Sequence, residues 1–310
     1  MISSFCVDLH SDSVSRSHVL GLPFSSGYGL SARAPHLQLS AVFPGGGGEP
    51  LILRRRRLFA MLDTLDRVAK EEIYLRIRTS SDLSEFCRVG GRALLYSIEG
   101  GGFLPEDLPI LCSRGVRVVS FVWDKNEYGA SSRESGTPQD CGLTDDGLRA
   151  LALCGELGII PDVSHLSDRA FSDAAAHTDG ALLATHSDFR GVCTHPRNLT
   201  DDMAKCVASR GGLIGLNLYP PFLSDTGRGT VDDLLRHVEY GLSLCGEHTL
   251  ALGLDIDGTD GEYPEGISLT RSIHDCVVDA LLSRYPASLV DRIAGGNAAD
   301  FFAAHLPDAC

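Results

Sequence analysis

Eight short runs rich in β-branched and other apolar residues recur along the chain, at residues 3–10, 37–43, 93–99, 116–123, 159–165, 181–187, 212–219 and 249–257. Their hydrophobicity is nearly continuous, which fits strands covered on both faces, as in a parallel sheet, better than the alternation of a one-sided antiparallel sheet. Helical segments lie between them at 54–72, 145–158, 168–178, 201–211 and 231–246. Thr144 before Asp145 and Asp146, and Thr200 before Asp201 and Asp202, supply a capping hydroxyl and then carboxylates at the positive end of a helix dipole. Gly158, Gly211 and Gly246 stand where three of these helices should stop. Eight strands with intervening helices read as a closed (β/α)8 barrel, with a doubly wound open sheet as the alternative. At 310 residues, 43% of them hydrophobic, the chain can bury one large core. A single domain over residues 1–310 is expected, with its site at the carboxyl ends of the strands.

Composition narrows the function classes. A formal charge of −14 argues against a phosphate-backbone partner, which would need a basic face. The ten cysteines are scattered singly, with no C-x-x-C pair, so reduced, mostly buried thiols in a cytoplasmic protein are expected rather than disulfides. The start, MISSFCVDLHSDS, lacks the basic and then long apolar pattern of a signal peptide, and no run approaches the roughly 18 apolar residues of a membrane span. FPGGGGEP (43–50) reads as a loop too irregular to cradle phosphate and lacking the Lys-Ser/Thr of a P-loop. Residues 124–142 form a long polar loop after the fourth strand, of the kind that shapes or covers a site.

The strand ends carry the chemistry. Residues 159–198 hold two apolar runs closing on His165 and His186 with a helical segment between them, a β-α-β pattern that aims two imidazoles into one crevice. The first run finishes in VDLHSD, where His10 and Asp12, two apart on an extended chain, project to the same side. The third ends SIEGG, with Glu99 followed by two glycines that let the backbone turn sharply. The last ends LDIDG, offering Asp255 and Asp257, of which Asp255 is better placed to reach the centre. Nitrogen and oxygen ligands without cysteine suit zinc, or in some enzymes manganese, cobalt or iron. Glu99 could bridge two ions, with His10 and Asp12 on one side and His165 and His186 on the other, in a pair about 3.5 to 4 Å apart that activates water.

These motifs, together with GLNLY, the HPRN that contains Arg197, and a GGN at 295–297, make the chain resemble the renal or membrane dipeptidases, the M19 metallopeptidases. The resemblance implies a binuclear zinc barrel of the amidohydrolase type that hydrolyses dipeptides, often with a D-residue at the carboxyl end. It implies that His10 and Asp12 bind one zinc, that Glu99 bridges, and that His165 and His186 bind the other. Asp255 matches the acid/base residue and Arg197 the arginine that binds the dipeptide carboxylate. Many members carry a histidine after the fourth strand where this chain has Trp123, so Trp123 is expected in the substrate site, with an altered substrate range. The alternatives are a related amidohydrolase acting on another amide or modified peptide, and a non-catalytic metal-binding protein on the same barrel. The expected partners are a small dipeptide and at most a second copy of the chain in a homodimer, with no nucleic acid and no membrane.

Overall fold

The computed structural model describes residues 5–24, 35–259 and 261–308. Among the described residues there are nine strands: β1 (Cys6–Ser11), β2 (His36–Val42), β3 (Leu75–Arg76), β4 (Arg92–Ile98), β5 (Val116–Ser120), β6 (Ile160–Asp162), β7 (Leu183–Ala184), β8 (Leu213–Leu216) and β9 (Leu250–Leu252). Every pairing is parallel, and β2 pairs with β4 along seven residues, from His36 opposite Arg92 to Val42 opposite Ile98. That ladder closes the ring β2-β1-β9-β8-β7-β6-β5-β4, which excludes the open sheet and gives the (β/α)8 barrel. β3 is a two-residue addition beside the start of β4 (Leu75 opposite Ala93), before β5 takes up the same edge at Tyr96. Each expected run holds one barrel strand, although Ser3 and Ser4 of the first lie outside the described residues.

Continuous hydrophobicity is explained by two apolar layers. Val7, Leu9, Leu37, Leu39, Ala93, Leu95, Val118, Ile160, Leu183, Leu213 and Ala251, drawn from all eight strands, meet in one cluster that fills the barrel, with Phe86, Phe301 and Phe302 in contact with it. Alternate residues, among them Leu94, Tyr96, Ile98, Ile214 and Leu252, join a second cluster under the helices.

The five expected helices run Leu51–Glu71, Asp145–Leu157, Asp168–Ala176, Asp201–Ser209 and Val231–Cys245. Thr144 accepts from the Gly147 amide and Thr200 from the Met203 amide, as their positions require. Helices at Ser13–Leu20, Ser80–Val89, Leu108–Ser113, Pro220–Leu223, Ile273–Leu282, Ala287–Asp291 and Asn297–His305 are additions to the expected set. The nine described cysteines are free, but only Cys6, Cys154 and Cys193 are buried, and Cys87 and Cys141 are exposed, so the expectation of mostly buried thiols is corrected. No helix among the described residues is long and apolar enough to cross a membrane.

Candidate metal centre

His10 is the fifth residue of β1, Asp12 follows that strand, and Glu99, His165, His186 and Asp255 lie one to three residues beyond β4, β6, β7 and β9. In a parallel barrel all six therefore open onto one mouth. Glu99 is held there by the turn that follows it. Gly100 and Gly101 adopt φ 79° and 75°, and a Cβ on Gly101 would lie 3.0 Å from the Phe121 carbonyl and the Tyr128 ring. The Gly100 carbonyl accepts from Arg54 Nη1 at 3.3 Å and Asn126 Nδ2 at 3.1 Å, which pins the turn.

Glu99 divides its oxygens. Oε2 lies 3.6 Å from His10 Nε2, whereas Oε1 lies 2.8 Å from His165 Nε2 and 3.4 Å from His186 Nε2. His10 Nε2 is also 3.4 Å from Asp12 Oδ2 and 3.9 Å from Asp255 Oδ1. His165 and His186 bring their Nε2 atoms to 2.9 Å. His10 is thus shared by two sets, His10–Glu99–His186 and His10–Asp12–Asp255, in each of which the ligand atoms lie within 4.8 Å of one another.

Two of these residues hold unusual backbone. His165 has φ 70° and Asp255 φ 58°, left-handed conformations that cost a non-glycine residue about 1–3 kcal/mol each. Asp255 is fixed further by Asn217, whose Nδ2 donates to Oδ2 at 3.2 Å and leaves Oδ1 toward His10. Asp257 points elsewhere, accepting from Ser13 Oγ at 2.9 Å and Arg16 Nε at 3.1 Å.

His186 is oriented by a chain of bonds behind it. Thr185 Oγ1 donates to Asp162 Oδ2 at 2.6 Å, so at its 2.7 Å contact with His186 Nδ1 it must accept. The ring proton is thereby placed on Nδ1, and the Nε2 lone pair faces Glu99 and His165. Asp162 also accepts from the Ser164 and Thr185 amides at 2.9 and 3.0 Å.

Electrostatics test whether a cation fits. Burial and the neighbouring Glu99 and Asp255 push the Asp12 carboxyl up to about 7, against the opposing pull of His10, and burial likewise raises Asp255. Burial would lower His10, but Glu99 and Asp12 outweigh it and raise the imidazole well above its usual value. Burial, with Arg197 adding to it, takes His165 down to about 4, and burial and His10 take His186 well below its usual value. Those two rings are in the neutral form that binds metal. Among the described residues His10 Nε2 is buried without a hydrogen-bond partner. Three carboxylates and three imidazoles converging in a buried mouth are the donor set of a divalent cation, so the residues fit a metal.

Two groups flank the cluster. Arg197 is buried, its Nη2 donates to the His186 carbonyl at 3.2 Å, its guanidinium lies 5.3 Å from the centre of the Phe222 ring, and its Nε has no hydrogen-bond partner among the described residues. Burial lowers its pKa. Trp123 is half-buried, with its ring 6.1 Å from that of His165 and 5.1 Å from that of Phe43, and Arg133 of the long polar loop stacks on it at 4.8 Å. The same loop donates the Ser132 amide to the His165 carbonyl at 2.7 Å, so it borders the mouth.

Across residues 38–304 the sequence matches the membrane dipeptidases, peptidase family M19. The chain belongs to that family. An uncharacterized Klebsiella pneumoniae protein from the pqqA 5′ region is 35% identical over 262 residues, covering 81% of this chain and 95% of its own. Dipeptidase verJ of Clonostachys rogersoniana is 29% identical over 223 residues, which is 71% of this chain but 54% of that one, so the chain spans about half of it. A Rhodobacter sphaeroides metallopeptidase liganded with a phosphinate mimic of the dipeptide L-Ala-D-Ala has the same fold, with a TM-score of 0.84, 22% identity, and coverage of 98% of this chain and 99% of its own. M19 enzymes are metallopeptidases, in keeping with the donor set at the mouth.

Sequence reasoning missed the supports of this cluster. Asp162 and Thr185 sit inside the apolar runs IIPDVSH and ALLATHS, where a polar residue without an obvious partner was the available signal. Asn217 was inside GLNLY, and only the packing of β8 against β9 brings it to Asp255.

Proposed function

We propose that the protein is a zinc-dependent dipeptidase holding two ions, one on His10 and Asp12, the other on His165 and His186, with Glu99 shared. Zinc bound there lowers the pKa of a water and polarises a peptide carbonyl. Asp255 Oδ1 accepts the proton of the attacking water and delivers it to the leaving amine, while Asn217 holds the other oxygen. The buried, incompletely partnered guanidinium of Arg197 beside this cluster carries the reading. A buried cation of this kind needs an anion, and the free α-carboxylate of a dipeptide matches it in bidentate geometry. Trp123 and Phe43 form an apolar wall for the substrate side chain.

The relative liganded with an L-Ala-D-Ala mimic supports a site that accepts a D-residue at the carboxyl end. Free thiols at all nine described cysteines suit a cytoplasmic enzyme, and we propose one domain acting as a monomer or homodimer. A second reading, hydrolysis of another amide or modified peptide, is favoured by Trp123, which offers one N–H and no charge where many M19 members have histidine. A substrate panel on zinc-loaded protein decides between them. Dipeptides with L- and D-residues at the carboxyl end should be cleaved faster than N-acyl amino acids, and the reverse order would replace the dipeptidase by the second reading.

A further inference from the structure

A second set of ligand-type side chains lies at the other end of the first strands. Cys6 opens β1, His36 opens β2, and His274 is the second residue of the helix Ile273–Leu282. The Cys6 sulfur and one ring nitrogen of each histidine lie within 4.8 Å of one another. Cys6 precedes His10 by four residues of extended chain, so roughly 13 Å separates the two clusters along the strand.

All three side chains are enclosed, at 4%, 2% and 0% exposure. Neither nitrogen of either imidazole has a hydrogen-bond partner among the described residues. That pattern is rare in a folded protein, because each neutral imidazole carries an N–H and a lone pair that lose water on burial. The rings meet edge to face, with centroids 4.5 Å apart at 73°. His274 Nε2 lies 3.0 Å from Asp8 Oδ2 without hydrogen-bond alignment, and the other Asp8 oxygen accepts from the Leu254 and His10 amides at 3.0 and 3.3 Å.

We infer that Cys6, His36 and His274 form a separate structural metal site for a borderline-soft divalent cation, zinc, with Asp8 as the adjoining carboxylate. A thiolate and two imidazoles are zinc donors. A carboxylate beside a ligating histidine is the usual device for orienting its ring, and Asp8 Oδ2 stands 3.0 Å from His274 Nε2. The Cys6 thiolate and the Asp8 carboxylate would together offset the ion's two positive charges, with the Asp275 carboxylate acting on Cys6 and the Arg92 guanidinium on His36 from nearby. Loading forms the sulfur–zinc bond and releases the thiol proton to solvent. The ion ties the amino-terminal strands β1 and β2 to a helix more than two hundred residues away in the chain.

The mouth cluster contains no sulfur, so Co(II) separates the two sites by spectroscopy. The test uses the full chain with the exposed Cys87 and Cys141 replaced by serine, loaded with Co(II) and, separately, with zinc. The cobalt protein should show a sulfur-to-cobalt charge-transfer band in the near ultraviolet that disappears in Cys6→Ser and persists in Glu99→Ala. Zinc content should fall by one equivalent in Cys6→Ser and in His36→Gln. A missing band, a band that survives Cys6→Ser, or unchanged zinc content in both variants overturns the site. If the variants do not fold, zinc-edge X-ray absorption of the parent decides, since a sulfur scatterer at about 2.3 Å supports the site and a shell of nitrogen and oxygen alone overturns it. None of these readouts depends on whether the mouth cleaves a dipeptide.

Discussion

Glu99 Oε1 lies 2.8 Å from His165 Nε2, on the opposite oxygen from the one that faces His10. One carboxylate therefore serves both halves of the mouth. Zinc-loaded protein is expected to hold about two ions there, and Glu99→Ala to weaken both by more than the roughly 10- to 100-fold that an outer partner costs. Metal analysis after dialysis against graded chelator measures this. A single mouth ion in the parent, or two tightly held ions in the variant, removes the bridge.

Asp255→Asn should keep its metal and lose about 10²- to 10⁴-fold in kcat. The amide retains the shape and can still accept from Asn217, but it cannot take a proton from water. Metal content and kcat measured on one preparation separate the two effects. Near-normal turnover would move the acid/base role to Asp257, which would first have to leave Ser13 and Arg16.

Amidating the substrate's carboxyl terminus should cost about 2 to 4 kcal/mol of transition-state binding, because Arg197 then loses a charged partner while remaining buried. Arg197→Met should lose a similar amount on the free dipeptide and little more on the amidated one, since both changes remove one contact. The four values of kcat/KM complete the cycle. Equal losses on both substrates would mean that the arginine braces its loop through the His186 carbonyl and reads no carboxylate.

Thr185→Val preserves volume and removes the hydroxyl between Asp162 and His186. Zinc affinity should fall about 10- to 100-fold as the His186 tautomer is released. Thermal unfolding should fall by the equivalent of about 1–3 kcal/mol, because Asp162 loses its short hydroxyl bond in a buried setting. A competitive zinc titration and a melting curve read the two effects, and unchanged affinity would show that His186 is oriented without the threonine.

Most barrel strands were legible because a strand covered on both faces writes a dense apolar run, as in ALLY of β4 and LIGL of β8, although His36, Gln38 and Ser40 alternate with apolar residues in β2. The helix Ser80–Val89 was legible in principle, since Thr79 and Asp82 form a reciprocal capping box, but its apolar positions are few. Ile273–Leu282 is apolar nearly all round and rich in β-branched residues, so its period does not stand out. The charged ends of strands announced the mouth. His36 and His274 did not announce theirs, because their proximity arises from closing the barrel and docking a distant helix on it. The number of outer helices was underestimated for a related reason, as short helices held by packing carry little periodicity of their own.

The left-handed backbone at His165 and Asp255 sets evolution and engineering at odds here. Glycine at either position would relax the chain, and at 255 it would also thin out a crowd of like charges. A library of this protein screened only for heat resistance should therefore drift toward glycine at 165 and 255, accumulating robust barrels that have given up their chemistry.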